Sequence, residues 1–257
     1  VYGANPPVES YEPFALFYFP TTELSGYTSL ATIKVKEAGL TINCSLETIL
    51  ALAEEKAREL GGNCLQITEH KEPDVWSSCH RIEGLVYHID HAEQYEKHIF
   101  WHEMRPLKID NFRGSTANRP FQAATYSGFR YRGEERPGGR ILITIESYFD
   151  CDLSYFKSSE NDVWILDHEQ RHFDISEIYA RKMRKAVYES LTRQDNLQQR
   201  MAEIYNDFMR QCSEKQDEYD SEVYYDSKKQ EAWNTWVANE LEALEAYKDT
   251  TFELRKL

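Results

Sequence analysis

The residues best spaced for chemistry are His168, Glu169 and His172, in the order H-E-x-x-H. On a helix, two histidines four residues apart project from the same side and are spaced to hold one zinc ion. The carboxylate beside the first histidine is placed to take a proton from a metal-bound water, the general-base role in metal-assisted hydrolysis. Zinc completes that chemistry by lowering the water's pKa toward neutrality and polarising a carbonyl. Val163, Trp164, Ile165 and Leu166 precede the motif, and Phe173, Ile175, Ile178 and Tyr179 follow it. Two imidazoles and a carboxylate on so apolar a helix need partners. The competing structural account of the same residues is a hydrogen-bonded core cluster with no metal.

A zinc site of this kind takes a third protein ligand and keeps one position open. Traced at about 100° per residue, the helix after the motif carries Leu197, Met201, Ile204, Phe208 and Cys212 on one stripe, continued by Lys215, Tyr219, Glu222 and Asp226. The stripe turns acidic at its end, which makes Glu222 the first choice for third ligand and Asp226 the second. A solvated, frayed helix end and a salt bridge from Glu222 to Arg181 or Lys182 are the plainer alternatives. Asp174 and Glu177 point away from the histidine face, as groups behind the ligands or on the helix surface. Tyr179 falls on the histidine face, where it is either an orienting group or a core tyrosine. His88, His91, His98 and His102 crowd one polar stretch and read as an exposed linker, not a second metal site.

These groups need a frame. Ala31 to Val35 reads as a strand. Ser45 is placed to cap a helix from Leu46 to about Leu60, which Gly61-Gly62 ends. Leu65–Thr68 and Ile82–His88 follow as strands, giving a β-α-β-β unit behind an extended, Pro- and aromatic-rich lead-in that ends near residue 28. Residues 89–105 read as a polar connector, with a domain boundary near residue 104. Beyond it, Ala123–Tyr131 and Arg140–Tyr148 read as strands joined by the turn-rich stretch Gly133–Gly139. Helices are expected near 160–190, 195–226 and 228–248. The fold class is therefore α+β: an N-terminal domain over 1–104, and a second domain over 105–257 with a small antiparallel sheet and long C-terminal helices.

With 30 Lys and Arg against 44 Asp and Glu, the 257-residue chain has a formal net charge of −14. That balance argues against nucleic acid as a partner and against attraction to an anionic membrane surface. A hydrophobic fraction of 41% supplies a real core, and no apolar run is long enough to span a bilayer. The five cysteines form no CxxC pair. In an exported protein, Cys44 with Cys79 is the expected disulfide; buried free thiols are the alternative. The chain starts at Val1 without Met or signal peptide, as a processed N-terminus or a trimmed boundary would. Nothing in it argues for an oligomer.

The run Asp167-His168-Glu169-Gln170-Arg171-His172-Phe173-Asp174-Ile175, followed by Glu177 through Lys182, resembles a bacterial family of secreted zinc-dependent proteases first catalogued as a domain of unknown function. The likeness extends to Arg105–Gly114, Ala123–Gly128, Tyr219-Asp220 and Gln230 through Asn234. It implies a zincin-like metallohydrolase acting on peptide or protein substrates, with His168 and His172 as zinc ligands and Glu169 as catalytic base. The family commonly has Gly where Arg171 stands, and a His a few residues beyond the Tyr-Asp pair, where this chain has Tyr225 or Asp226. A carboxylate or Tyr225 would then replace that ligand. The N-terminal unit is similar to small domains of bacterial envelope lipoproteins, through Ala57-x-x-Leu60-Gly61-Gly62-Asn63 and Ser77 through Ile82. Both likenesses imply the cell envelope, periplasmic or anchored at the outer membrane, with any signal or lipid tether upstream of Val1. The expectation is an envelope zinc peptidase in which Glu169 activates a zinc-bound water. The alternative is an inactive envelope binding or structural protein that keeps the zincin-like fold.

Overall fold

The computed structural model describes residues 6–35, 45–74, 77, 79–136, 138–192, 196–223 and 226–254. The chain divides between Lys97 and His98, so each unit is described by itself.

In the first unit, strands β1 (Ala15–Tyr18), β2 (Ala31–Val35), β3 (Cys64–Lys71) and β4 (Arg81–Tyr87) form one sheet in the order β1-β3-β4-β2. β1 runs parallel to β3, and the other pairs are antiparallel. Helix α1 (Leu46–Glu59) begins where the Ser45 side chain accepts the Thr48 N–H. It buries Ile49, Ala53 and Ala57 against Ile33, Leu65, Ile67 and Val86 of the sheet. Gly61 ends the helix in the left-handed region, at φ 79°. A Cβ on Gly62 would lie 2.2 Å from the Val86 side chain, so the second glycine is a close-approach residue. The element missing from the sequence reading is β1, taken there as lead-in; its run Ala-Leu-Phe-Tyr has no alternation to announce a strand.

In the second unit, β8 (Arg140–Asp150) is the central strand. β7 (Ser127–Arg136) pairs along one of its edges, leaving the other to β5 (His98–Phe100) and β10 (Thr251–Glu253), one near each end. Two short strands, β6 (Ala123–Ala124) and β9 (Tyr155–Phe156), pair with each other. Helices α2 (Asp162–Ser190), α3 (Leu197–Val223) and α4 (Ser227–Ala243) follow. α2 packs on the face of β8 that carries Ile143, Ile145 and Phe149, all fully buried. Phe112, Phe156, Ile165 and Phe173 extend that core toward the first turns of α2.

The α+β class and the long C-terminal helices stand as expected. Three details differ. Strand Ala123–Tyr131 is broken at Thr125 and Tyr126, because the Thr125 hydroxyl donates to the Glu169 carbonyl and the Tyr126 N–H to the Ser154 hydroxyl. The β7–β8 ladder runs on to Arg136 and Arg140, so the hairpin turn is shorter than the Gly133–Gly139 stretch. β5 lies inside the expected connector and joins the sheet of the second unit. Cys64, Cys151 and Cys212 are buried free thiols. The expected Cys44–Cys79 pairing involves Cys44, which lies outside the described residues. Among the described residues, no helix is long and apolar enough to cross a membrane.

Candidate metal centre

α2 carries His168 and His172 one turn apart, and their Nε2 atoms lie 3.1 Å from each other. α3 crosses them and brings Asp220, whose Oδ1 is 3.2 Å from Nε2 of His168 and 2.9 Å from Nε2 of His172. This trio is the one group of three or more such side chains among the described residues that is arranged to hold a metal ion. Zinc bonds of about 2.0–2.1 Å to nitrogen or oxygen put tetrahedral donor atoms about 3.3 Å apart. The three observed separations are close to that edge length, and two imidazoles with a carboxylate are a donor set zinc accepts. The residues present therefore fit the ion that the motif implies.

The surroundings favour a cation. Burial raises the Asp220 carboxyl, but hydrogen bonds and charge from both histidines outweigh it and hold that group well below the usual carboxylate range. For His172, burial opposes protonation; the Asp220 hydrogen bond and the Glu169 and Asp220 charges reverse that and lift its pKa above the ordinary value. The Asp220 side chain is 58% exposed, while those of His168 and His172 are 17% and 13% exposed. The trio thus opens to solvent on the Asp220 side.

Behind the trio, one turn of α3 supplies the supports, since residues three and four apart share a helix face. Gln216 Oε1 meets Nδ1 of His172. The Tyr219 ring stacks on His168 at 4.7 Å, and the Trp164 ring stacks on His168 at 5.9 Å. The Tyr219 hydroxyl donates to Gln230 Oε1 at 2.7 Å, and Gln230 in turn donates to Asn234, which donates to Asp167. Burial keeps the Tyr219 phenol neutral, well above its ordinary pKa.

Glu169 is 4% exposed, and its Oε2 has no hydrogen-bond partner among the described residues. Nδ1 of His168 is buried without a partner as well. Unsatisfied buried groups are costly and few in folded proteins. Two fall on adjacent residues here, one on the Glu169 carboxylate and one on the side of the His168 ring away from Nε2.

The other sequence-predicted residues fall elsewhere. Glu222 accepts the Trp233 indole N–H at 3.1 Å, so it faces α4 and is not beside the histidines. Asp226 caps α4, accepting the backbone N–H groups of Lys228 and Lys229. Tyr225 lies outside the described residues. Lys215, on the stripe expected to follow Cys212, sits over the Trp233 and Trp236 rings of α4. The step to Gln216 keeps to the face that meets α2 and arrives at Tyr219 and Asp220. Asp220 and Gln216 are thus the residues the spacing argument missed; the Tyr219-Asp220 pair was visible only as part of a resemblance.

Tyr179 lies under the Lys182 ammonium, its phenol pushed up to about 12 by burial. Asp174 is buried and accepts from the Trp101 indole and from Gln170, and burial raises its pKa above the ordinary value despite Arg171 nearby. It anchors the back of the motif helix. Arg171, where the resembled family has Gly, bridges Asp167 and Asp174 at 3.3 Å each. Glu177, expected behind the ligands or on the helix surface, is 2% exposed and paired with two arginines. The four connector histidines form no cluster: His88 meets the Gly61 carbonyl, His91 meets Glu93, His98 lies 3.3 Å from Asp150, and His102 accepts the Met104 N–H.

Residues 163–239 match the model of a family described as a bacterial protein of unknown function (DUF922). That span is less than half of the chain and holds the trio, Glu169, Gln216 and the α4 supports. No curated protein and no solved structure matches the chain.

Proposed function

We propose that the second unit is a zinc-dependent hydrolase acting on peptide bonds, with His168, His172 and Asp220 holding the ion and Glu169 as general base. The observation that carries this reading is the convergence of three donor atoms within 2.9–3.2 Å of one another beside a buried carboxylate oxygen with no partner. Bound zinc would supply a Lewis acid that acidifies water and polarises the scissile carbonyl. The chain's own residues do the rest. The unpartnered Glu169 Oε2 is free to accept a proton from the attacking water and pass it to the leaving amine. The Thr125 hydroxyl fixes the backbone at Glu169, and the Ser127 hydroxyl does so at His172. Trp164 and Tyr219 each stack on the His168 ring and restrict its orientation.

Peptide as substrate and the bacterial envelope as location are supported by the resemblance of Asp167–Ile175 and of the N-terminal unit to exported proteins. The rival reading, an inactive binding protein, drew on the want of a His near Tyr225 and Asp226; Asp220 offers a donor instead.

The test is elemental analysis of the purified protein after zinc loading, followed by a peptide-hydrolysis screen. Wild type should hold about one zinc per chain, and His168→Ala and Asp220→Ala should lose it. Glu169→Gln should keep the zinc and lose at least about 10²-fold in hydrolysis. A wild type that takes up no zinc, or a Glu169→Gln protein as active as wild type, would overturn the proposal.

A further inference from the structure

We propose that Gln216 is a positioning residue that fixes the tautomer of His172, so that Nε2 is the atom of that ring left to bind metal. This rests on the reading of the trio as a zinc site and extends it to the group that prepares one ligand. The argument is one of hydrogen-bond bookkeeping around a single amide. Nε2 of Gln216 lies 2.9 Å from the His172 carbonyl oxygen, which can only accept. The Ser127 and Ser176 hydroxyls lie 3.3 Å from that same oxygen and 2.8 Å from each other, so one of them donates to the other and the second to the carbonyl. Turning the amide over would set its carbonyl against that oxygen, so the orientation is forced by the network.

Gln216 therefore presents Oε1 to Nδ1 of His172. Oε1 is an acceptor, so Nδ1 must carry the hydrogen. With Nδ1 held by Gln216, Nε2 is the nitrogen left to bind a metal. It faces His168 and Asp220, and in the charged ring its own hydrogen goes to the Asp220 carboxylate, where a bound metal would replace it. A hydrogen bond from the non-ligating nitrogen also raises the basicity of the ligating one.

His168 has no such device. Its Nδ1 is buried without a partner among the described residues, and the Trp164 and Tyr219 rings stack on its ring. The two histidines are thus prepared differently: His172 by a hydrogen bond that selects a tautomer, His168 by ring contacts that select only an orientation.

Two measurements test this on the whole chain. The first is nitrogen NMR of the histidine rings in metal-free protein across their titration. Nδ1 of His172 should keep its hydrogen in wild type, in the charged and the neutral ring alike, and should lose that preference in Gln216→Leu. The second is zinc affinity by competition with a chromogenic chelator. Gln216→Leu should bind about 10–100-fold more weakly, whereas Gln216→Glu, whose carboxylate accepts the same hydrogen but sets its second oxygen against the His172 carbonyl, should fall between Gln216→Leu and wild type. A purely structural role for Gln216 would leave the tautomer unmoved and give no rescue by Glu. A neutral His172 ring that carries its hydrogen on Nε2 alone in wild type overturns the proposal, and so does a Gln216→Leu protein with wild-type tautomer and affinity. The wild-type spectrum decides the tautomer even if Gln216→Leu fails to fold. A wild type that binds no zinc would sink the functional reading, while the tautomer measurement would still decide the role of Gln216.

Discussion

Helix α2 buries a carboxylate at Glu169 and another two turns later at Glu177, and the two are treated in opposite ways. Both Glu177 oxygens are used: Oε1 accepts from Arg181 and Arg184 at 2.9 Å each, and Oε2 from Ser147 at 2.6 Å and Arg184 at 3.2 Å. The arginines continue outward to the backbone carbonyls of Ile145, Leu241 and Tyr247. This network ties α2 to β8 and to the segments at and after the end of α4. Around Glu169, by contrast, one carboxylate oxygen and one imidazole nitrogen are buried with no hydrogen-bond partner among the described residues. The sequence places acids on one helix at both points. What separates the two acids is whether their partners are already supplied.

The largest expected effect comes from breaking the satisfied end. Glu177→Ala leaves Arg181 and Arg184 as buried cations without their shared carboxylate, which typically costs about 3–5 kcal/mol. Urea unfolding of the metal-free protein measures it. A loss under about 1 kcal/mol, the range of exposed pairs, would show that Glu177 is not the anchor described and would erase the contrast with Glu169.

At the open end the gain should come from outside the chain. Zinc at a hundredfold excess over its Kd should stabilise the folded protein by about 2.7 kcal/mol through mass action. Asp220→Ala should remove most of that increment. Its metal-free cost, from the lost bonds to both histidines, should stay near the roughly 1 kcal/mol of exposed pairs, because the side chain is more than half exposed. Unfolding with zinc and with a chelator measures both. An equal zinc increment in Asp220→Ala would place the ion elsewhere.

How much of this contrast was legible beforehand follows from the range of the interactions. His168, Glu169 and His172 lie within one helical turn, so their joint projection follows from helix geometry alone. The α1 boundaries were legible for the same reason, through Ser45 and Gly61-Gly62. Asp220 and Gln216 sit some fifty residues away, and their part depends on how α3 rolls against α2. A shift of one residue at Lys215 moved the traced face from α2 to α4, since neighbouring positions differ by about 100°. Glu177 was misread because an acid offset from an apolar stripe resembles a surface acid until its arginine partners are in view. β10 went unnoticed because three residues carry no periodicity; its place is set by the pairing of Thr251 with Thr144.

Glu146 on β8 extends the comparison to a carboxylate that should behave like Glu177 and unlike Glu169. It receives the Arg130 guanidinium at 2.8 Å. Burial pushes its pKa up, but the charges of Arg130, Arg132 and Arg184 and the Arg130 hydrogen bond more than reverse this, leaving it below the ordinary value. An unfolded Glu titrates near about 4.3. A group whose folded pKa is depressed stabilises the protein above the unfolded value, and that contribution fades as pH falls through the folded value. Glu146→Gln should therefore be about 2 kcal/mol less stable than wild type at neutral pH, the order expected when a charged hydrogen bond is lost from a mostly buried site. The gap should narrow below about pH 4.3 and close once wild-type Glu146 is itself protonated. Urea midpoints of the two proteins across that range measure it. A gap that stays constant with pH would mean that the shape of the side chain, not its charge, is what the arginines require, and Glu146 would then no longer stand with Glu177.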